Sequence, residues 1–265
     1  MSTSSTELFL GVPNQSSTIG IQVELGRFPI SLNIKHTMLK YWTRLATLPK
    51  SRLVSHCYWS LHNINNLKDT WFTAIKQIIE SSGEHNLNFL WNSQALLDGV
   101  EPKVISKCQS QILHDAKMRF LSEAVNDMDK QVKLQYFKEA KSEFTVSKYL
   151  GEIGVRSSRS LIAKLRLGVL DLEVEKGRRF KIDHSGRKVQ IPRAERYCKL
   201  CQTSEIEDEV HFLFSCPTLA QTRQEYLEPL TARCPELATA SHQDKLMYLY
   251  FNEDLVTEVS LRVCR

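Results

Sequence analysis

Three cysteines and one histidine stand close together in the segment YCKLCQTSEIEDEVHFLFSCP, residues 197–217. Their order is Cys198-x2-Cys201-x9-His211-x4-Cys216. Thiolate and imidazole are the ligands that Zn²⁺ prefers, and structural zinc sites use four of them in a tetrahedron. The spacing therefore predicts a structural zinc site whose four side chains leave no coordination position for a water molecule.

The residues between the ligands suggest how such a site would fold. The nine residues between Cys201 and His211 allow a loop and a helical turn, which we expect Ser204 to cap and the acids at 207–209 to stabilise. Residues 212–214 would give apolar cover. Three thiolates, a neutral imidazole and Zn²⁺ leave a net negative charge. Three basic residues are placed to offset it: Arg193, Arg196 and Lys199.

Two other interpretations of the cysteines remain open. The first is a chance grouping of reduced thiols with a core histidine, which the complete four-residue order makes less favoured than a metal site. The second is a redox Cys-x2-Cys pair, which is disfavoured because no βαβ pattern surrounds it. The other four cysteines have no metal spacing and are expected to be free thiols: Cys57, Cys108, Cys234 and Cys264.

Length and composition favour a folded protein. The chain has 265 residues, of which 42% are hydrophobic, enough for a substantial core in one large domain or two small ones. The odd number of cysteines, 7, disfavours a disulfide framework. No secretory signal or apolar run of the ~18 residues that a membrane span needs is visible. We expect an intracellular protein, nuclear or cytoplasmic, without a membrane partner.

Charge is distributed unevenly along the chain. Residues 151–200 contain 13 Lys and Arg against 6 Asp and Glu, whereas residues 201–265 contain 5 against 11. A basic block thus comes immediately before the cysteine cluster and an acidic tail follows it. Such polarity is typical of a protein that meets an anionic partner on one side.

Hydrophobic periodicity predicts a mainly α fold. Apolar residues recur at helical spacing from Ile30 to a stop at Pro49, and further helices are predicted over 52–63, 67–83, 101–127, 131–144 and 155–167. Helices are also expected after Pro217 and to close the chain. We predict a flexible N-terminus (1–20), a helical domain (21–150) and a segment (151–265) that combines the basic block, the zinc knuckle and closing helices.

The basic block also contains a predicted β-hairpin. In RRFKIDHSGRKVQIP, Phe180 and Ile182 alternate with basic residues, Val189 and Ile191 do the same, and DHSG between them favours a turn. We expect one apolar and one basic side. Eight basic residues here are candidates for phosphate contacts with RNA or DNA, with Phe180 and Tyr197 available for stacking: Arg178, Arg179, Lys181, Arg187, Lys188, Arg193, Arg196 and Lys199.

The sequence contains no motif typical of an enzyme, so no catalytic residue and no small-molecule substrate is predicted. Phosphate-binding loops, dinucleotide fingerprints and the common hydrolase motifs do not occur. The alternating acids Asp171, Glu173 and Glu175 could hold Mg²⁺, but we favour pairing with Lys176 and the arginines at 178–179.

Five segments in order make the chain similar to the C-terminal region of LINE-type (non-LTR) retrotransposon polyproteins, downstream of the reverse transcriptase. They are FLGVPNQSS, ELGRFPISLNIKHTMLKYWTRL, LRLGVLDLEVEKGRRF, IPRAERYCKLC and EDEVHFLFSCP. The last resembles the reverse-transcriptase zinc-binding domain. The resemblance implies that Cys198, Cys201, His211 and Cys216 bind Zn²⁺, and that the region helps to hold template RNA or target DNA. The 180–191 hairpin resembles an insertion relative to the family.

Two functional hypotheses follow from the sequence. The first is a zinc-stabilised nucleic-acid-binding module, although the basic residues could equally be a solvated surface. The second is a structural or interaction fragment that docks on a reverse transcriptase domain, which exposed apolar stripes in residues 30–80 would favour. The resemblance also allows an inactive, truncated relic, because the polymerase and endonuclease motifs are not in this chain.

Overall fold

A computed structural model of the protein describes residues 9–49, 51–62, 64, 70–81, 101–179, 181–182 and 185–252. Over these residues the protein is mainly helical, so the predicted fold class is confirmed at this level. The chain divides into two compact units, one of Met1–Arg27 with Val125–Arg265 and the other of Phe28–Ala124. This division differs from the predicted boundaries after residues 20 and 150.

The described helices are numbered in chain order. They are α1 (Thr18–Glu24), α2 (Ile30–Ala46), α3 (Leu53–His62), α4 (Trp71–Glu80), α5 (Pro102–Asp129), α6 (Gln135–Ala140), α7 (Tyr149–Glu152), α8 (Arg156–Arg166), α9 (Glu173–Lys176), α10 (Ala220–Arg233), α11 (Glu236–Thr239) and α12 (His242–Phe251). Short 3-10 turns lie at Val132–Leu134, Arg193–Glu195 and Pro217–Leu219, and a π-helical turn lies at His211–Ser215. None of the described helices combines the length and the apolar character needed to cross a bilayer.

The unit Phe28–Ala124 is built around Trp42, whose side chain is fully buried. Its indole nitrogen donates a hydrogen bond of 2.8 Å to the hydroxyl of Tyr58, so the polar atom of each ring is satisfied inside the core. Gln109 on α5 likewise donates to the hydroxyl of Thr43 on α2. The apolar stripes of the first four predicted helices meet in this core: Leu39, Trp42, Leu45, Ala46, Tyr58, Trp59, Phe72, Ile75, Ile79, Ile105 and Ile112.

The other unit contains a buried ion pair between Glu24 and Arg166. The guanidinium Nε lies 2.7 Å from a Glu24 carboxylate oxygen, and the two side chains are 1% exposed or less. Ser147 donates to the same carboxylate, and Arg166 donates to the backbone oxygen of Tyr250 on α12. A buried charge is tolerated only when its hydrogen-bonding capacity is satisfied. Here the partners that satisfy it come from different helices, so the contacts join α1, α8 and α12.

The N-terminal segment is packed where the sequence predicted flexibility. Leu10 is fully buried, and the backbone oxygen of Gly11 accepts a hydrogen bond of 2.8 Å from Ser160 on α8. Residues 1–8 lie outside the described residues. The prediction is therefore wrong for residues 9–20, because an apolar residue in a Ser/Thr-rich sequence still finds a place in the core.

The predicted hairpin is reduced to a two-residue pairing of β1 (Lys181–Ile182) with β2 (Lys188–Val189). The strands are antiparallel, with Lys181 opposite Val189 and Ile182 opposite Lys188. This register places a basic and an apolar residue in each pair, so the prediction of one apolar and one basic side is wrong. A shift of one residue moves a strand's whole pattern to the other face, and alternation alone does not fix that register. Phe180 lies outside the described residues.

We expect the Glu24–Arg166 pair to be essential for the stability of its unit. Replacing Arg166 by Leu leaves a buried carboxylate without its partner, which costs about 3–5 kcal/mol of unfolding free energy. Replacing both residues by Leu should cost less than the single change. Urea unfolding of the variants measures both effects.

The control is Lys76→Ala, which removes an exposed i,i+4 pair with Glu80 on α4. Such a pair contributes less than about 0.5 kcal/mol. If Arg166→Leu unfolded at the same urea concentration as this control, the stabilising role of the buried pair would be contradicted.

Candidate metal centre

The structure brings the four predicted ligand residues together. One ligand atom from each of Cys198, Cys201, His211 and Cys216 lies within 4.8 Å of the others. A tetrahedron with Zn–S bonds of ~2.3 Å separates its ligands by about 3.8 Å, so the group needs only a small contraction to bind one ion. Cys198, His211 and Cys216 are buried, and Cys201 is half-buried. A compact set of three sulfurs and one imidazole fits a structural metal ion.

Two short extended segments form the base of the site. The amide of Cys198 donates to the backbone oxygen of Glu205 at 2.8 Å, and the amide of Glu207 donates to that of Arg196 at 3.0 Å. Between these bonds, Tyr197 and Ile206 form an antiparallel bridge. Residues 205–207 are therefore extended and not part of the helical turn predicted between Cys201 and His211.

A sharp turn connects these two segments. Gln202 and Ser204 both adopt positive φ angles, 57° and 58°. This conformation costs a non-glycine residue roughly 1–2 kcal/mol. The hydroxyl of Thr203, between them, lies 3.0 Å from the sulfur of Cys201. The turn therefore combines backbone strain with a polar contact to a candidate ligand, a combination typical of functional turns.

His211 begins the π-helical turn, and Asp208 caps it. The Asp208 carboxylate accepts a hydrogen bond of 3.0 Å from the His211 amide. The predicted cap, Ser204, lies in the preceding turn, so that prediction is wrong. The helical segment starts later than expected because residues 205–207 are paired with the first extended segment. The amide of Cys216 then donates to the backbone oxygen of His211 at 2.7 Å, which places the last cysteine just beyond the turn.

Glu205 orients the histidine ring. Its carboxylate oxygen lies 2.7 Å from Nδ1 of His211, while Nε2 lies 3.3 Å from the sulfur of Cys201. A proton on Nδ1 shared with the carboxylate leaves the lone pair of Nε2 directed at the sulfurs. Carboxylate–histidine pairs of this kind fix the tautomer in metal sites and raise ligand basicity. Glu205 was not predicted from the sequence, because the acids near it were assigned to the start of a helix.

The two cysteines of the Cys-x2-Cys pair differ in acidity. Burial raises the pKa of Cys198 to about 11, whereas a hydrogen bond from Thr203 is the main cause that lowers the pKa of Cys201 to about 6. These contacts therefore favour loss of the proton from Cys201 over loss of the proton from Cys198. A divalent cation would take the place of the Cys198 proton, since the thiolate is the form that binds metal.

Helices α10 and α12 hold the outgoing end of the site. Phe214 is buried and stacks on the ring of His242, with a centroid separation of 5.7 Å. Arg223 on α10 donates to the backbone oxygens of Leu213 and Cys216. These contacts help to satisfy carbonyl groups at the end of the π-helical turn, where the oxygen of Cys216 also accepts from the amide of Leu219. Phe214 is thus part of the apolar cover that the sequence predicted.

The eight basic candidates have different environments. Four have exposed side chains: Arg179, Arg187, Arg193 and Lys199. Arg193 lies 3.1 Å from Asp208, and Lys199 lies 2.8 Å from Glu173, so each of these two has a carboxylate partner. Arg178 is half-buried and lies 3.4 Å from Glu175. The side chains of Lys181 and Lys188 lie outside the described residues.

Arg196 is a structural residue and is not available to a phosphate. Its side chain is only 8% exposed, and its guanidinium donates to the backbone oxygens of Ile191 and Val174 at 2.6–2.9 Å. A Cβ atom at Gly177 would lie 2.5 Å from its Nε. Arg196 therefore joins the knuckle to the chain that follows β2 and to α9, and its predicted role in nucleic-acid contact is corrected.

The acids around α9 form ion pairs, the arrangement favoured from the sequence over Mg²⁺ binding. Lys176 lies 3.5 Å from both Asp171 and Glu173. Burial nevertheless raises the pKa of Glu175, despite the arginines around it. Glu207 accepts a hydrogen bond of 3.0 Å from the amide of Glu173, so its carboxylate binds the start of α9. The carboxylates of Glu173, Glu175 and Glu207 are buried, whereas that of Asp171 is exposed.

Comparison of the chain with protein-family models, with curated proteins and with solved structures finds no match. The similarity to non-LTR retrotransposon polyproteins therefore stays a prediction that depends on the five sequence segments.

Replacing Glu205 by Gln should weaken metal binding about 10- to 100-fold without removing a ligand, because His211 would lose the group that orients it. Competition with a chromogenic chelator measures the affinity for Zn²⁺. The control is Glu195→Gln, which changes an exposed acid close in sequence. Equal affinities of the two variants would contradict the role assigned to Glu205.

Proposed function

We propose that the protein is a zinc-stabilised nucleic-acid-binding module that derives from the C-terminal region of a non-LTR retrotransposon reverse transcriptase. The observation that carries this proposal is the sorting of charge beside the Cys-Cys-His-Cys cluster. There, the carboxylates of Glu173, Glu175 and Glu207 are buried, whereas the side chains of Arg179, Arg187 and Lys199 are exposed. RNA or DNA is the partner class that fits such a surface.

Zinc is the ion that fits the four donor atoms best. Cys198, Cys201, His211 and Cys216 would hold it, and a set of three thiolates with one imidazole is typical of a closed structural site. Bound there, it would crosslink the turn after Cys198 to the π-helical turn. The role proposed for the ion is therefore stabilisation, and the proposed function is binding and not catalysis.

The inward carboxylates explain how an acidic sequence can lie beside a surface for anions. Glu173, Glu175 and Glu207 are each less than 9% exposed. Glu205 and Asp208 are bound to His211 through its ring nitrogen and its amide. The three buried acids therefore contribute less to the outer surface than their number in the sequence suggests, whereas the side chain of Glu205 is 60% exposed.

The exposed cations would contact the phosphate backbone. Arg179 and Arg187 come from the segments before and within the hairpin, and Lys199 comes from the knuckle, where its side chain is 70% exposed. Phosphate contacts give affinity that falls with salt and does not depend on base sequence. We therefore propose that the module holds nucleic acid without reading its sequence.

Exposed apolar residues on the unit Phe28–Ala124 favour a second candidate function, docking on a reverse transcriptase domain. On α3, Leu53 is 77% exposed, and Leu61 lies two helical turns away on the same face at 41%. An open groove of about 740 Å³ is also lined by residues of α2, α4 and α5. Apolar surface of this kind is more typical of a protein contact than of a nucleic-acid contact.

A salt titration tests the nucleic-acid proposal. We expect the affinity for a short RNA to fall linearly with salt on a log–log scale. The variant Arg179→Ala/Arg187→Ala should bind all sequences more weakly, with the slope reduced by about 1 for each phosphate that is no longer neutralised. The matched control, Lys107→Ala, removes an exposed cation on α5 and should leave the slope unchanged.

A wild-type protein that binds neither RNA nor DNA at low salt would contradict the nucleic-acid proposal. The docking candidate is tested by Leu53→Asp, which should abolish binding to a purified reverse transcriptase domain while leaving the salt titration unchanged. If Leu53→Asp bound both the reverse transcriptase domain and RNA as the wild type does, docking through α3 would be contradicted.

A further inference from the structure

We propose that Tyr197 and Ile206 form a platform on which an unpaired nucleobase stacks, so that the module selects single-stranded over double-stranded nucleic acid. This inference rests on the proposed nucleic-acid-binding function and deepens it. It concerns the outer face of the two extended segments that carry the metal site on their inner face.

Tyr197 points away from the metal site. Along the first extended segment, exposure alternates from 8% at Arg196 to 48% at Tyr197 and 4% at Cys198. Successive side chains of an extended chain lie on opposite faces. Arg196 donates to backbone oxygens, and Cys198 belongs to the candidate metal cluster. The ring of Tyr197 therefore lies on the solvent side.

Ile206 lies beside Tyr197 on the same face. The two residues are directly opposite in the antiparallel bridge, an arrangement that brings Cβ atoms to about 5 Å. The neighbours of Ile206 have their side chains directed elsewhere, since Glu205 binds the ring of His211 and Glu207 binds the amide of Glu173. The platform therefore consists of a phenol ring flanked by an aliphatic side chain.

The platform is held rigidly before any ligand binds. Hydrogen bonds of 2.8 and 3.0 Å close the two sides of the bridge. The metal-ligand candidate Cys198 is the next residue after Tyr197, and Cys201 comes three residues after Cys198. The hydroxyl of Thr218 also donates to the backbone oxygen of Leu200, between the two cysteines, at 3.0 Å. A preorganised aromatic side chain loses little entropy on binding, which favours its use as an anchor.

The chemistry of the face fits an unpaired base. Every base has a π-face that can stack on a phenol ring, whereas the bases inside a duplex already stack on each other and do not offer that face. Lys199 is two residues from Tyr197 and 70% exposed, so its ammonium group, which pairs with Glu173 at 2.8 Å, is also open to the phosphate of the stacked nucleotide. An apolar side chain of a protein partner could also contact the ring, and the test separates this outcome.

The test uses the full chain loaded with Zn²⁺ and an RNA of about 16 nucleotides that carries 2-aminopurine, a base whose fluorescence is quenched by stacking. We expect Tyr197→Leu to bind the single strand about tenfold more weakly, to lose the quenching and to bind the matching duplex as the wild type does. Tyr197→Phe should keep both affinity and quenching. Tyr41→Ala, which changes an equally exposed tyrosine on α2, should also behave as the wild type.

The outcomes separate the two proposals. Suppose that the wild type binds RNA with the expected salt dependence. If Tyr197→Leu then binds RNA and quenches 2-aminopurine as the wild type does, or loses affinity for single strand and duplex equally, the platform is overturned. The proposed nucleic-acid function stands in both cases. If the wild type binds neither form, both proposals fail. If Tyr197→Leu releases zinc while Tyr197→Phe binds zinc but fails to quench, the platform is likewise overturned.

Discussion

The convergence of four ligand side chains on one point is the constraint on which the C-terminal part of this structure depends. The candidate ligands come from a tight turn and from a π-helical turn with the residue just after it, with nine residues between Cys201 and His211. They can meet only because residues 205–207 fold back along residues 196–198, through a turn with two left-handed residues. Strain in that turn persists because the surrounding hydrogen bonds, and in our proposal a metal ion, over-determine it.

The same physical rule organises charge in both the core and the site: a charge removed from water must keep a partner. Glu24 and Arg166 satisfy it as a buried pair, and Arg196 satisfies it with backbone oxygens. Glu207 satisfies it by accepting a hydrogen bond from the amide at the start of α9. Because these buried charges are bound to the fold, our proposal assigns the contacts with nucleic acid to the exposed cations Arg179, Arg187 and Lys199.

Sequence patterns predicted the helices and the clustering of the four candidate ligands well, because both depend on local spacing. Apolar periodicity from Ile30 corresponds to α2, and the Cys-x2-Cys-x9-His-x4-Cys order corresponds to the observed cluster. The features that sequence reasoning missed depend on long-range pairing. Glu205 meets His211 only after the chain folds back, and the hairpin register and the docking of Leu10 are likewise set by tertiary contacts. Arg196 was predicted to contact phosphate, because nothing in a basic sequence distinguishes a buried arginine from an exposed one.

The most direct test of the central claim is the zinc content of the purified protein, measured by elemental analysis beside two cysteine variants. The account predicts a single zinc ion per chain in the wild type and in Cys57→Ser, whose cysteine is exposed and outside the cluster. Cys198→Ser should lose the ion, because it removes a buried ligand. A wild type free of zinc after purification in its presence, or a Cys198→Ser variant with a full complement, would contradict the account.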